Sequence, residues 1–533
     1  MPADASGTPS QDLWPAGPDS SVTDDRTDDH ADGPVIGLRS PGRSLSPLSP
    51  AVVIGGGTAG LLAARRLCEA GCRVSVLEAS ARLGGAVSAH QLAGLTLDAG
   101  AESFATRTDA VPRLLHELGL SARVLAPEPR GSWLQLPEAA LPMPSSGILG
   151  IPADPLDESL RPALSESGRL RAAQDAELPA EIGADAHTLG QVVRARMGEE
   201  LLERLVAPVT LGVHSLHPDH LELATVAPKL LSALAEYGSL GAAAAHLRVT
   251  APAGSQVLGL EGGMNLLTRT LAEQLERSGA ELRTRAPVTA LERTEQGAWK
   301  VHLDAETVPL EARTLVLAAD APEATRLMAP HLQQVGLSEE STGQQLQSGP
   351  EVALVTLVLQ APSLDQAPRG TGVLVSDQVH EVRAKALTHA SAKWSWIARA
   401  AGPGRHVVRL SYGRSTAGSS GEQIPAQDPC LKLSDERLIR QGLHDAQMLL
   451  GTPLPEPIDA DVIRWRGAIP AASPGHALAA RAFRAGLAQL PHPECPALAV
   501  GSWAGGTGLA SIIPDTEAHL AQRLGAALAA SSP

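Results

Sequence analysis

Aromatic side chains are nearly missing from this chain: seven Trp, two Tyr and two Phe make up 2% of 533 residues. Aliphatic residues and alanine must therefore fill the core, which makes each Trp a placed residue; a compositional bias toward alanine and arginine is the bland alternative. Lysine is equally scarce, five of the 43 basic residues. Cysteine appears four times, at Cys68, Cys72, Cys430 and Cys495, with no C-x-x-C pair and no zinc spacing. That excludes a disulfide scaffold and predicts a reduced, cytoplasmic chain. An N-terminal apolar h-region is absent, as is any run of about 18 apolar residues, so neither a secretory signal nor a transmembrane segment is expected. The net charge of −15 excludes a general nucleic-acid binder, and an anionic substrate would need a local basic lining. With 43% hydrophobic and 19% charged residues, a chain of this length predicts a globular protein of two or three domains.

What the chain does have is glycine in a pattern. Residues 51–60 read Ala-Val-Val-Ile-Gly-Gly-Gly-Thr-Ala-Gly, a buried strand, a tight turn and a helix start. Gly55, Gly57 and Gly60 hold the three glycine positions of GxGxxG, with Gly56, Thr58 and Ala59 between them. The first serves the turn, the second lets a pyrophosphate approach the backbone, and the third lets helix pack on strand. The helix N-terminus then faces the phosphates. A second strand runs over 73–78 and ends in Glu78, eighteen residues after Gly60, where a carboxylate accepts from a ribose 2′-OH and repels a 2′-phosphate. An adenosine diphosphate moiety is predicted, from FAD or NAD.

The next run decides between them. Ala79-Ser-Ala-Arg82-Leu-Gly84-Gly85-Ala86, read with Glu78, resembles the signature of the large FAD-containing family of amine oxidases, phytoene desaturases and porphyrinogen oxidases. Asp98-Ala-Gly100-Ala101-Glu102-Ser103-Phe104, followed by Arg107, is similar to the protoporphyrinogen and coproporphyrinogen oxidases within it. The resemblance implies FAD as cofactor, with Gly100, Ala101, Glu102 and Ser103 lying along the flavin and Ala79, Arg82, Gly85 and Ala86 continuing the nucleotide site. It extends to Val288, whose backbone would contact the adenine side, and to Trp465, in Ile463-Arg-Trp-Arg466, as a flavin contact. A second strand, glycine loop and helix close the chain, and Gly501, Thr507, Gly508 and Leu509 carry over as contacts to the flavin. Two positions depart from the family pattern: Ala472 stands where relatives carry Tyr, and Ser502 where amine-oxidase-like members carry Asp.

The implied fold is α/β: a Rossmann-like FAD-binding domain with an α+β substrate domain and a helical subdomain, the flavin amine oxidase-like architecture. Residues 1–48, rich in Asp, Ser, Pro and Gly, are expected to be disordered. The FAD domain is discontinuous, 49–110, 255–345 and 460–533, with a mainly helical part over 111–254 and a strand-rich substrate part over 346–459. Leu189 to Val206 carries apolar residues at helical spacing, and candidate strands run over 352–360, 372–376 and 406–412. His214, His217 and His220 are spaced like metal ligands. Pro218 interrupts a common helical face and neither carboxylate nor Cys completes an obvious set, so no metal is expected.

The activity implied is oxygen-dependent oxidation of a porphyrinogen in heme biosynthesis, with porphyrinogen and O2 as reactants and no nucleic acid. The family's helical part, in some relatives, docks on membranes, and contact with other heme-pathway enzymes belongs to the same inference. Coproporphyrinogen III, with four propionates, is favoured over protoporphyrinogen IX, with two, because the region around Arg383 to Trp394 resembles the Gram-positive bacterial type. Arg130, Lys385, Lys393 and Arg466 are the candidate propionate contacts, although each fits equally a solvated surface charge. No side chain is assigned as a general base. An amine oxidase or desaturase, and a flavin-binding scaffold without activity, remain the rival classes.

Overall fold

The computed structural model describes residues 49–143, 147–249, 257–304, 306–337, 346, 348–414, 428–467 and 475–530. The N-terminal stretch expected to be disordered and Ala472 lie outside them. Pro50–Ile54 is a strand buried on both faces, as its run of β-branched residues requires of a central parallel strand. Arg73–Leu77 pairs with it in parallel on one side and Thr314–Leu317 on the other, while Glu281–Arg283 and Ala497–Ala499 extend the two edges. Counted in chain order these five strands lie 3-2-1-4-5. That is a doubly wound α/β sheet, in which ligands bind beyond the carboxyl ends of the strands where the winding reverses, here at the first strand.

Helix Thr58–Glu69 leaves the first strand and packs between Asn265–Arg277 and Leu509–Ala530 through Leu61, Leu62 and Leu67. On the opposite face a three-stranded meander, Val288–Arg293, Trp299–Leu303 and Leu310–Ala312, buries Trp299 completely. With so few aromatics, that indole does the filling several aliphatic residues would otherwise share.

A second sheet has seven strands in the order Asp459–Trp465, Val352–Gln360, Arg405–Tyr412, Ala386–His389, Gly372–Val375, Trp133–Gln135 and Ala140–Pro142. Helix Asp435–Leu450 covers one face through Leu438, Ala446 and Leu449. Two of the seven strands come from the stretch expected to be mainly helical. The helical run over 189–206 also differs from a single rod: Leu189–Met197, capped by Thr188 and Gln191, stops at Gly198 with φ of 91°. The chain resumes at Glu199 and widens to a π-helix over Leu202–Val206 before the helix Ala207–His214.

Candidate active site

Three glycine-bearing loops distant in sequence interlock beyond the carboxyl end of the first strand. Gly84 N–H donates to the Gly56 carbonyl at 2.8 Å, and Ala101 N–H donates to the Ala86 carbonyl at 2.8 Å. Each glycine of the first loop answers to a different constraint. A Cβ on Gly55 would strike the Ala318 carbonyl, and one on Gly60 would strike the Gly55 carbonyl, so the packing of the protein itself demands both. Gly57, in ordinary extended backbone, has nothing within 4 Å of an added Cβ. Its missing side chain leaves room in front of the loop. Thr58, the first residue of the helix, is 7% exposed and its Oγ1 has no hydrogen-bond partner. An open cradle beside an orphaned buried hydroxyl at a helix N-terminus fits a pyrophosphate.

Glu78 sits at the end of the second strand, as the spacing predicts. Its Oε2 accepts from Gly56 N–H at 2.7 Å and its Oε1 from Ser80 N–H at 2.8 Å, so the carboxylate ties the glycine loop to the strand and retains lone pairs for a ribose hydroxyl. Ala286 N–H donates to the Glu78 carbonyl, bringing the Val288 segment alongside; the Val288 carbonyl itself accepts from Arg326. Ala79 is exposed, and exposed Arg82 reaches the Ala89 carbonyl at 3.3 Å.

The remaining predicted cofactor residues converge on the Gly100 loop. The indole of Trp465 donates to the Ala99 carbonyl at 2.8 Å. Arg107 donates to the Thr507 carbonyl at 2.9 Å and to the Ser511 hydroxyl, clamping that loop to the C-terminal glycine turn. Gly501 and Gly508 both adopt positive φ there, 124° and 80°, and Leu509 opens the last long helix. Ser502, the departure from the family's Asp, begins the short helix Ser502–Gly505.

Beneath the loop lies a part-buried ion trio. Glu102 accepts from Lys393 Nζ at 2.5 Å through Oε1 and from Arg409 at 2.9 Å through Oε2, and Arg409 also donates to the Gly100 carbonyl at 2.9 Å. Burial raises the Glu102 pKa, but the two cations outweigh it and hold the carboxyl at about 2. Arg409 carries no sequence signal: it is one charge in an alternating strand, 307 residues from Glu102. Asp98 likewise gives no signal of its own beyond opening the loop motif, and its carboxylate accepts from the N–H groups of Met264 and Asn265 at the start of helix Asn265–Arg277.

The four candidate propionate contacts are held in four different ways. Lys393 is consumed by Glu102. Lys385, for which a solvated surface charge fitted equally, is instead 1% exposed and donates to the Ser215 hydroxyl at the end of the helix Ala207–His214. Burial lowers its pKa to about 7, with Asp428 opposing and Arg414 adding to the shift. Arg466 is 81% exposed and 3.7 Å from Glu351, and Arg130 is exposed on the loop before Trp133. Close to Lys385 and Arg107, His214 is held neutral by burial and by those two charges, with a pKa of about 4, and its Nδ1 is buried without a partner. Of the three histidines with metal-like spacing, His217 meets carboxylates the sequence did not bring near it: Glu203 and Asp377, all three donor atoms lying within 4.8 Å of one another.

Comparison with known proteins agrees with this architecture. Residues 58–495 match the flavin containing amine oxidoreductase family. The coproporphyrinogen III oxidase of Mycobacterium leprae is 30% identical over 440 residues, 82% of this chain and 90% of the relative. That of Mycobacterium tuberculosis H37Rv is 29% identical over 468 residues, 86% of this chain and 94% of the relative. A crystal structure from Exiguobacterium sp., assigned as a protoporphyrinogen oxidase, superposes with a TM-score of 0.74 at 25% identity, covering 91% of this chain and 100% of that one. The chain belongs to the flavin-containing amine oxidoreductase family, and within it to the family of the bacterial coproporphyrinogen III oxidases.

Proposed function

We propose that this protein oxidises coproporphyrinogen III to coproporphyrin III in three two-electron steps, with O2 as the terminal acceptor, in the cytoplasm. FAD, when bound, supplies the hydride acceptor and the route to oxygen. The chain's own residues bind, orient and seal. Gly57 and Thr58 offer an open backbone cradle to the pyrophosphate, and Glu78 offers its free lone pairs to the ribose. The Glu102, Lys393 and Arg409 trio fixes the Gly100 to Ser103 loop, while Arg107 ties that loop to the C-terminal turn, so the wall along the flavin is rigid before substrate arrives. Four unpaired cysteines, three of them buried, support a reducing compartment.

The observation that carries the choice of substrate is Lys385. A buried ammonium whose direct partner among the described residues is a hydroxyl is short of an anion, and a tetrapropionate substrate brings more carboxylates than a dipropionate. Arg130 and Arg466, both exposed, supply further cations for propionates at the rim.

Aerobic incubation with each porphyrinogen, following porphyrin fluorescence and peroxide together, tests the reading. Coproporphyrinogen III should turn over faster and yield three peroxides per porphyrin. Faster oxidation of protoporphyrinogen IX would reverse the preference, and no turnover of either by FAD-loaded protein would return the chain to the amine-oxidase-like or inactive-scaffold classes. Gly57→Val tests the cofactor half separately. The folded protein should survive, because no protein atom opposes the new side chain, while FAD retention on gel filtration is lost.

A further inference from the structure

The helical run and the seven-stranded sheet meet at a cluster that the flavin chemistry does not use. Glu203 projects from the π-helical turn Leu202–Val206, His217 from the turn after helix Ala207–His214, and Asp377 from the segment just past strand Gly372–Val375. One ligand atom from each lies within 4.8 Å of the other two, and His217 Nε2 is 3.3 Å from Glu203 Oε1. We propose that Glu203, His217 and Asp377 form a divalent-metal site, and that Zn2+ is the ion its donors fit.

Donor atoms around a tetrahedral zinc, at about 2.0–2.1 Å from the ion, stand roughly 3.4 Å apart. The His217 to Glu203 edge already has that length, and the Asp377 carboxylate lies within 4.8 Å of both. One imidazole and two carboxylates are an intermediate donor set, softer than an all-oxygen calcium or magnesium cage, and they leave a fourth position for water. A second layer is also in place. The Asp219 backbone N–H donates to His217 Nδ1 at 3.3 Å, Asp219 Oδ2 lies 3.4 Å from the same nitrogen, and Arg194 grips both Asp219 oxygens at 2.7 and 2.8 Å. With a metal on Nε2 the outer nitrogen carries the proton, and the Asp219 carboxylate, held by Arg194, is the acceptor at hand to orient the ring. The π-helical turn belongs to the same picture, since such widened turns occur where a helix re-aims a side chain for a site.

The ion would cross-link three segments of distant sequence. Ser215, whose hydroxyl holds Lys385, lies two residues before His217, so metal occupancy stiffens the wall that carries the buried lysine. The site makes no call on the flavin or on the identity of the substrate.

Full-length, FAD-loaded protein, stripped with chelator, should be titrated with Zn2+ by calorimetry beside Glu203→Gln and Asp377→Asn, both near-isosteric. The expected result is one saturable site per chain, a raised melting temperature on zinc addition, and binding weakened by at least about tenfold in each variant at unchanged FAD content. Crystals soaked with Zn2+ should show an anomalous peak between the three side chains. Equal affinity in wild type and both variants would place zinc elsewhere on a chain with 17 histidines and overturn the site. So would the lack of any saturable heat at concentrations on the order of 0.1 mM.

Discussion

Lys385 and Lys393 lie eight residues apart, on either side of one short strand, and the protein treats them in opposite ways. Lys393 has a carboxylate at 2.5 Å and stands over the Trp394 ring, 5.3 Å from its centroid. Lys385 is more deeply buried and has a hydroxyl. A paired buried cation is held by attraction; an unpaired one is a cost the fold bears. The first therefore belongs to the architecture, pinning the Gly100 loop against the seven-stranded sheet. The second has a hydroxyl where the first has a carboxylate, and its proposed role toward a substrate carboxylate rests on that difference.

The strongest way to break this contrast is to remove the shared acid. Glu102→Ala strands Lys393 and Arg409 without their carboxylate and should cost about 3–5 kcal/mol in guanidinium unfolding at pH 7. The pH dependence carries a sign. The folded pKa of Glu102 is depressed from 4.5 to about 2, so its stabilisation is present above the unfolded value and is lost as pH falls from about 4.5 through about 2. Wild-type stability should decline across that window, and Glu102→Gln should decline less. A variant within about 0.5 kcal/mol of wild type at pH 7 would show that the trio is ornamental.

Lys385→Met should move stability the other way. Filling the same space with an uncharged chain removes a buried ammonium and should stabilise by about 1–4 kcal/mol at pH 6. For a lysine depressed from 10.5 to about 7, the penalty is full below about 7 and fades as pH rises toward 10.5, so the gain should shrink over that range. Turnover should reveal why the cost is kept: KM for coproporphyrinogen III should rise more than kcat falls, as removal of a binding contact predicts. A destabilised variant with unchanged KM would make Lys385 a structural residue like its neighbour.

The same contrast explains what could be read from the sequence. The nucleotide half was legible because its demands are local: glycines for a turn, a carboxylate at a strand end, and a strand and helix to either side, all within about thirty residues. The order of the parallel sheet follows from that motif once the chain returns to it at Thr314 and Ala497. Strand Val352–Gln360 was equally legible from its apolar run. Charged groups were not, because a charge is defined by partners the sequence does not place beside it. Glu102 meets Arg409 across 307 residues, Lys385 meets Ser215 across 170, and Arg107 meets Thr507 across 400. Lys385 and Lys393 therefore read alike, each a propionate contact or a solvated charge, and nothing within the stretch separates the lysine paired with Glu102 from the one facing a hydroxyl. His217 repeats the lesson. Pro218 does break the helical face locally, yet of the carboxylates near the ring only Asp219 is local; Glu203 comes from a π-helical turn and Asp377 from just past strand Gly372–Val375.

The smallest effect tests whether the Ser215 hydroxyl is all that Lys385 has. Ser215 is fully buried in the left-handed region, φ 62°, at the end of helix Ala207–His214. Alanine tolerates that conformation about as well as serine, whereas glycine would relieve it and confuse the reading, so Ser215→Ala is the informative change. Losing the acceptor leaves the ammonium without that partner and should cost about 1.5–3 kcal/mol at pH 6, the net worth of one hydrogen bond to a charged group. The loss should fade above about pH 7, where the folded lysine is already neutral. In the Lys385→Met background the same serine change should be close to neutral, because the group it served is gone. A cycle of the four proteins therefore isolates the contact. Additive effects would mean that Ser215 acts through its own helix end, and that the buried lysine is held by a group other than the hydroxyl that faces it.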